Sequence, residues 1–285
     1  MSEKVSELID RLLDRENEMQ PPAATFKGIH DYDEEWDDPG PEGIAAYEAF
    51  VDEYSAQVEE AARAAEGEDA VDLALARARL ANYDVSLRLM DELRRNPIGV
   101  PATVVQTIFV MLVRDYAPLE ERLGAILARM QKVPAYCEKG KRAFEKPIAK
   151  FLELAAELAA QGGPFLARVV PAAAEQAGSK YAADLAEAGE RAAAALDDFI
   201  THVRGLPVRE DFAAGRKITC PLLLLWGATG GVGRNHKSME IWPRYASDIR
   251  AGKALPCGHY LSDEAPEETY RELREFFAAA EPGKA

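Results

Sequence analysis

His259 is the residue best placed by type and context to do chemistry. It follows a short apolar segment that ends at Pro256, the position of a general base on a loop after a strand. A histidine titrates near neutral pH and can accept a proton from water or from a nucleophile. The competing interpretation is a histidine that has no nucleophile to activate. We therefore predict His259 as the catalytic candidate, and any activity would be metal-independent hydrolysis with this base.

A glycine-rich segment, Gly227–Gly233, follows a predicted strand and could hold a phosphate. Glycines at such a turn let a pyrophosphate approach the backbone at a helix N-terminus. The chain ends at residue 285, however, which leaves too few residues for the remaining strands of a dinucleotide-binding fold. Nucleotide binding at this loop is the weakest of the functions considered, and we predict no cofactor.

Three further sets of residues are candidates for which we expect structural roles. His30 lies among carboxylates that could ligate a cation, namely Asp31, Asp33, Glu34 and Glu35. Loop carboxylates are common and this spacing is not diagnostic, so we predict no metal site. Cys257 is too close in sequence to His259 for the two side chains to face each other readily as nucleophile and base. His202 lies late in a predicted helix, where the helix dipole favours it.

The elements that must position these residues are mostly helices. Residues 1–205 show apolar residues at helical spacing, and prolines stand where first turns would begin, at Pro118, Pro134, Pro147 and Pro164. The first helix is expected to stop at Pro21, and a loop is expected from Pro21 to Pro41. Helices are predicted over 42–65, 69–94, 104–113, 118–130, 134–144, 148–161, 164–176 and 179–203.

The pattern changes at about Phe212. Cys220–Trp226 is a short apolar run bounded by Pro and Gly, which is typical of a buried strand. A helix is predicted over Ser238–Ile249, a second strand over Lys253–Pro256 and a last helix over Glu267–Ala280. The order β-α-β-α implies two parallel strands joined by a helical crossover.

The segment Ala23–Asp33, with the sequence AATFKGIHDYD, resembles the start of the bacterial family named domain of unknown function 885. The resemblance continues through Arg114–Leu123 to Val133 and covers about two thirds of the chain. It implies a mostly helical fold of the zinc carboxypeptidase type. A zinc site of that type has two histidines one helical turn apart in an H-E-x-x-H motif. This chain has four histidines and no such motif, so we predict no metal.

A second resemblance begins at Gly215. The segment Gly215–Gly227, with Ile241–Asp248 and Leu255–Thr269, is similar to the C-terminal end of α/β-hydrolases, nearest to the haloacetate dehalogenase group. It implies that His259 matches the catalytic base of that fold. The nucleophile elbow and the acid of the triad have no counterpart upstream. The chain thus resembles the N-terminal part of one family joined to the C-terminal part of another. A natural gene fusion and an artificial chimera would have the same sequence features.

Charge and composition exclude several classes of partner. The net charge is −15, and residues 1–60 hold 18 acidic against 4 basic residues. Such a surface repels nucleic acid and anionic membranes, so we expect neither as a partner. The N-terminus lacks the pattern of a signal peptide, which favours a cytoplasmic location. Three cysteines without a C-x-x-C pair fit reduced thiols.

These observations predict a mainly α protein with two parts. Residues 1–212 form a multi-helix domain, and residues 213–285 form a small α/β unit that resembles the end of an α/β-hydrolase. The first functional hypothesis is a hydrolase-related protein that lacks a complete recognisable catalytic site and binds a small molecule at the junction of the two domains. The alternative is a non-catalytic helical binding or scaffold protein. An open strand edge in the small unit also favours a homodimer.

Overall fold

The computed structural model describes residues 3–209 and 215–280. The chain divides into two units, Met1–Arg209 and Glu210–Ala285. The predicted domain boundary at 212/213 falls among residues that the structure does not describe. The first unit is helical and the second has a small sheet, so the mainly α fold class is confirmed.

The first unit contains ten α-helices among its described residues. They are α1 (Glu3–Met19), α2 (Pro21–Lys27), α3 (Pro41–Ala62), α4 (Gly67–Asp84), α5 (Glu92–Arg95), α6 (Gly99–Val113), α7 (Leu119–Lys141), α8 (Ala149–Pro164), α9 (Val170–Gln176) and α10 (Ala182–Arg204). Two π-helical turns, Val85–Leu89 and Phe165–Val169, extend α4 and link α8 to α9.

Two apolar clusters hold this unit together. The larger one joins α6, α7, α8 and α10 through fully buried side chains such as Ile108, Met130 and Phe199. The smaller one joins α1, α3 and α4 through Leu12 and Leu73. Each fully buried side chain of this size contributes about 1.5–3 kcal/mol of hydrophobic free energy.

Three expectations about prolines were wrong. Pro164, expected to begin a helix, is the last residue of α8, and the chain continues from it into a π-helical turn. Pro21 and Pro22 begin α2, a helix within the predicted loop, because the missing N–H groups are those that a first turn leaves unpaired anyway. Pro134 lies inside α7 and does not start a new helix. Burial of Val133 and Cys137 on either side outweighs the unfavourable helix propensity of proline, about 3 kcal/mol.

The second unit consists of β1 (Leu222–Gly227), α11 (Gly231–Asn235), α12 (Ser238–Ile241), β2 (Ile249–Leu255), α13 (Leu261–Glu264) and α14 (Pro266–Ala280). Its two described strands pair in parallel, as predicted, with Leu225 opposite Lys253. The helix predicted over Ser238–Ile249 is wrong in length. After one turn, α12 gives way to a 3₁₀ turn, Trp242–Arg244, that contains Pro243.

Among the described residues, no single helix is long and apolar enough to cross a membrane. The segments Gly67–Arg95 and Gly99–Val113 pass that test of length and composition only as a pair, and they are bent by 94° where they meet.

Candidate functional site

His259 lies on the loop after β2, and its side chain is exposed. Its ring contacts Tyr260 edge to face, with centroids 5.0 Å apart. Among residues 215–280, no serine, cysteine or carboxylate is hydrogen-bonded to the imidazole. A general base needs a partner within about 3 Å to share a proton with. The role of His259 as a base therefore stays a prediction.

Glu264 holds the loop that carries His259. Its carboxylate accepts the backbone N–H groups of Gly258, at 2.6 Å, and of Tyr260, at 3.0 Å. These backbone hydrogen bonds lower the pKa of Glu264 below its ordinary value, against a smaller opposing effect of burial. The carboxylate thus gives the loop a fixed shape at neutral pH.

The glycine-rich segment packs against the same loop. A Cβ atom at Gly227 would lie 1.6 Å from the carbonyl oxygen of Gly258, and one at Gly230 would lie 2.6 Å from it. A Cβ at Gly233 would lie 2.4 Å from the oxygen of Gly227. Close backbone contact accounts for these three glycines without a nucleotide.

Cys257 and His202 occupy positions that suit structural roles. Cys257 is buried, and burial raises the pKa of its thiol, with Glu264 and Glu268 adding to the effect. A raised pKa reduces the thiolate fraction that a nucleophile requires. His202 lies in the last turn of α10, as expected.

His30 belongs to a hydrogen-bonded cluster centred on Asp33. The Asp33 carboxylate interacts with His30 Nδ1 at 2.9 Å and accepts the hydroxyls of Tyr116 at 2.7 Å and Thr25 at 2.6 Å. The rings of His30 and Tyr116 are stacked, with centroids 3.5 Å apart. The other carboxylates of the predicted cluster are exposed: Asp31, Glu34 and Glu35.

The described residues contain no group of three or more His, Cys, Asp or Glu side chains that could hold a metal ion. The zinc implied by the family resemblance therefore has no donor set in the described part of the chain. We derive no chemistry through a metal.

A site that the sequence analysis did not foresee is a cavity of about 670 Å³ in the first unit. Its walls come from α1 to α6, including the π-helical turn after α4, and from the segment between α2 and α3. Three acidic residues line it, Glu18, Asp37 and Asp38, and no lysine, arginine or histidine is among the described residues of its lining. The cavity is thus acidic.

One stripe of α6 forms a wall of the cavity. Gly99, Ala102, Thr103 and Gln106 lie at positions i, i+3, i+4 and i+7, which share one face of a helix. They are small or polar, whereas most core-facing positions of α6 are large and apolar, such as Val104, Ile108 and Met111. The small side chains leave space on this face, and the polar ones give that space hydrogen-bonding groups.

Asp37 carries the unusual chemistry of the cavity. Its Oδ1 atom is shielded from solvent and has no hydrogen-bond partner among the described residues. Burial raises the pKa of this carboxyl to about 6, and the charge of Asp38 adds to the increase. The hydroxyl of Tyr136 and the charge of Arg129 act in the opposite direction without cancelling it. A buried polar atom without a partner is costly, so it is a candidate for ligand contact.

The neighbouring carboxyl of Asp38 has a pKa that is shifted in the opposite direction, because its oxygens are hydrogen-bonded. Its Oδ2 pairs with Lys139 Nζ at 2.8 Å and its Oδ1 accepts the Gly40 N–H at 2.9 Å. Although burial opposes it, these hydrogen bonds lower the pKa of Asp38 below its ordinary value. Two adjacent carboxyls thus have pKa values shifted apart, an arrangement typical of sites that distinguish protonation states.

Arg129 fixes the segment that carries these carboxyls. The side chain is fully buried on α7 and donates to the carbonyls of Tyr32 at 2.9 Å and Glu35 at 3.0 Å. Its guanidinium carbon lies 5.2 Å from the centroid of Trp36, whose indole N–H in turn donates to the Arg129 carbonyl at 3.0 Å. Burial lowers the pKa of Arg129 to about 10. The position of the Asp37 backbone is therefore set by contacts on both sides.

Comparison with known proteins places the helical part of the chain. Residues 21–218 match the family described as bacterial protein of unknown function, DUF885. The chain belongs to the DUF885 family. The resemblance predicted from the segment around His30 is confirmed for this part, and Asp37 and most of the cavity lining lie within the matched residues.

A solved structure shares the fold. A protein from Shewanella oneidensis, described as a lipoprotein of unknown function, superposes with a TM-score of 0.62 at 19% sequence identity. The match covers 70% of this chain and 37% of that one, so the chain spans little more than a third of its structural neighbour. At this identity the likeness shows the fold alone.

A partial likeness to a hydrolase also exists. A fluoroacetate dehalogenase from Burkholderia sp is 33% identical over 69 residues, which is 24% of this chain and 22% of that enzyme. The match is consistent with the predicted similarity to the haloacetate dehalogenase group. The chain spans only about a fifth of the length of this relative, so the activity of the whole enzyme does not transfer to it.

The cytoplasmic location expected from the sequence was wrong as an inference. The solved structure that shares the fold belongs to a protein described as a lipoprotein, and this finding overturns the expectation. The expectation rested only on the residues at the start of the chain.

Proposed function

We propose that this DUF885 protein is a non-catalytic binding protein whose helical unit holds a small molecule in the acidic cavity. One observation carries the proposal. Asp37 lines the cavity of about 670 Å³, and its shielded Oδ1 atom has no hydrogen-bond partner among the described residues. Binding sites for small molecules are typically concave, with mainly apolar walls and a few polar groups placed to fix orientation.

The walls support this function. Trp36, Tyr47 and Tyr83 contribute aromatic surface, and the polar residues of the α6 stripe, Thr103 and Gln106, contribute hydrogen-bonding groups. Arg129 holds the Asp37 segment in place before any ligand arrives, which reduces the entropy lost on binding.

The binding of a neutral dye tests the proposal. Nile red should bind saturably to the full chain, with one dye per chain and the rise in emission that accompanies an apolar environment. Ala102→Trp should abolish this signal, because the indole would fill the space beside the α6 stripe. Val113→Trp is the matched control, since Val113 is 55% exposed on the same helix and does not line the cavity. Equal dye binding by both variants would refute the proposal.

Hydrolysis with His259 as base is the second candidate function, and the partial likeness to a dehalogenase favours it. It requires a nucleophile near the imidazole, and the described residues of the second unit supply none hydrogen-bonded to it. We expect no release of fluoride from fluoroacetate above the buffer rate, measured with a fluoride electrode. Release that His259→Ala abolishes would favour the hydrolase instead.

A further inference from the structure

We propose that the cavity selects an organic ammonium ion, a ligand with one protonated amine on an apolar body, and that the carboxylate of Asp37 binds that amine. The inference rests on the proposed function and names the chemical class of its ligand.

The charges around the cavity favour a cation. Glu18, Asp37 and Asp38 line it, and the described lining contains no basic residue. Asp38 is already paired with Lys139, and Glu18 is paired with Arg15 at 2.9 Å. Asp37 is therefore the carboxylate left to neutralise a ligand.

Arg129 is a buried cation whose charge acts on Asp37. Its hydrogen-bond donors, however, contact other groups. They contact the carbonyls of Tyr32 and Glu35 and the sulfur of Met111, the last at 3.3 Å. No direct ion pair joins Arg129 to Asp37 within the described residues. A ligand ammonium would supply such an ion pair to the Asp37 carboxylate.

Aromatic walls strengthen the same preference. Tyr47 and Tyr83 lie against each other, with ring centroids 5.3 Å apart, and both line the cavity with Trp36 and Phe26. The faces of aromatic rings carry partial negative charge and attract cations. The same rings offer apolar surface to the body of the ligand, and the small residues of the α6 stripe leave room for it.

The N-terminus of α6 is a feature that would favour an anion, because unpaired N–H groups at a helix start attract negative charge. Three of its first four positions offer no free N–H donor. The N–H of Gly99 donates to the Asn96 carbonyl, the N–H of Ala102 donates to the Ile98 carbonyl, and Pro101 has no N–H. The remaining donor is outweighed by the three carboxylates.

Three ligands that differ only in charge test the proposal on the full chain. They are 2-phenylethylamine, which stays protonated between pH 5 and 7.5, the neutral 2-phenylethanol and the anionic phenylacetate. Calorimetric titration at pH 7.5 should rank the amine first by at least about tenfold in affinity, with phenylacetate last. Asp37→Asn should reduce the affinity for the amine by about tenfold or more and leave the alcohol unchanged. Asp31→Asn is the matched control and should change amine affinity by less than about threefold, since Asp31 is exposed six positions earlier and does not line the cavity.

A pH series on the unaltered protein gives a second readout that needs no variant. Protonation of Asp37 competes with the ammonium, and its pKa is about 6 under the combined effects of burial, Asp38, Tyr136 and Arg129. Affinity for the amine should therefore fall about tenfold from pH 7.5 to pH 5, while affinity for the alcohol stays constant.

Equal affinities for the three ligands, or unchanged amine affinity in Asp37→Asn, would overturn the assignment of an ammonium ligand. Nile red binding that Ala102→Trp blocks would still stand in that case, so the proposed function would survive. Absence of any dye or amine binding would overturn both.

Discussion

Replacing Asp37 by asparagine should stabilise the protein, and the gain should grow with pH. Burial raises the pKa of this carboxyl from 3.8 to about 6. The folded state therefore binds the proton more tightly than the unfolded state does. The stability that this proton contributes is fully present below about pH 4 and is lost as the pH rises through 6. Asparagine keeps the shape of the side chain and has no charge to desolvate.

The magnitude follows from the same shift. One pKa unit corresponds to about 1.4 kcal/mol, so ionised Asp37 costs the folded state about 3 kcal/mol at pH 8. At pH 5 the carboxyl is mostly protonated when folded and mostly ionised when unfolded, and the cost falls to about 1.6 kcal/mol. These values are upper limits, because Asn leaves its own amide hydrogens to be satisfied in the same place.

Urea unfolding followed by circular dichroism at pH 5 and pH 8 measures the effect. Asp38→Asn is the matched control, because the hydrogen bonds from Lys139 and Gly40 lower the pKa of Asp38. Its ionised form contributes stability that is present at neutral pH and is lost as the pH falls. Asp38→Asn should therefore destabilise about equally at pH 5 and pH 8, because both lie above the ordinary pKa of 3.8 and the contribution is lost only below about pH 4. Destabilisation by Asp37→Asn at pH 8, or a gain that does not depend on pH, would refute the reasoning.

Three further predictions concern packing, metal content and assembly. Gly189→Ala should destabilise by about 1–3 kcal/mol, because the new Cβ would lie 2.4 Å from the Leu166 carbonyl oxygen. Gly163→Ala is its control and should be neutral or stabilising in the same thermal melt, since its Cβ would meet Ala193 at 3.6 Å. Purified protein should hold no stoichiometric zinc, and about one zinc per chain by elemental analysis after chelator-free purification would contradict this. Light scattering should give twice the chain mass of 31.2 kDa, because the two described strands leave open edges, and a clean monomer mass would show that the edges are capped within the chain.

The helical fold could be predicted because apolar residues recur at helical spacing and long-range packing agrees with that local preference. The errors arose where packing overrides a local signal. The local sequence at Pro134 predicts the start of a helix. The residues beside it are buried, however, and α7 continues through Pro134 without a break. Ser238 reads as the cap of a long helix, yet Pro243 and the start of β2 leave room for one turn.

The cavity could not be predicted because its walls come from elements far apart in the sequence. One signal was present and was missed. Within the apolar run that forms α6, the small and polar residues 99, 102, 103 and 106 repeat at helical spacing. Such a stripe indicates that one face of the helix meets something other than core. The pKa of Asp37 depends first on burial and then on groups distant in sequence, such as the hydroxyl of Tyr136, which no local pattern reveals.

The contacts of Arg129 also determine when the cavity can form during synthesis. The Arg129 side chain donates to Glu35 and Tyr32, which lie 94 and 97 positions earlier in the chain. The Trp36 indole N–H donates to the Arg129 carbonyl across 93 positions. The Asp37 segment leaves the ribosome long before the helix that anchors it, and closing so long a loop carries an entropic cost that only the later contacts offset. Nascent chains arrested before residue 129 should therefore expose the Asp37 segment to protease, while the segment should become protected once α7 has emerged.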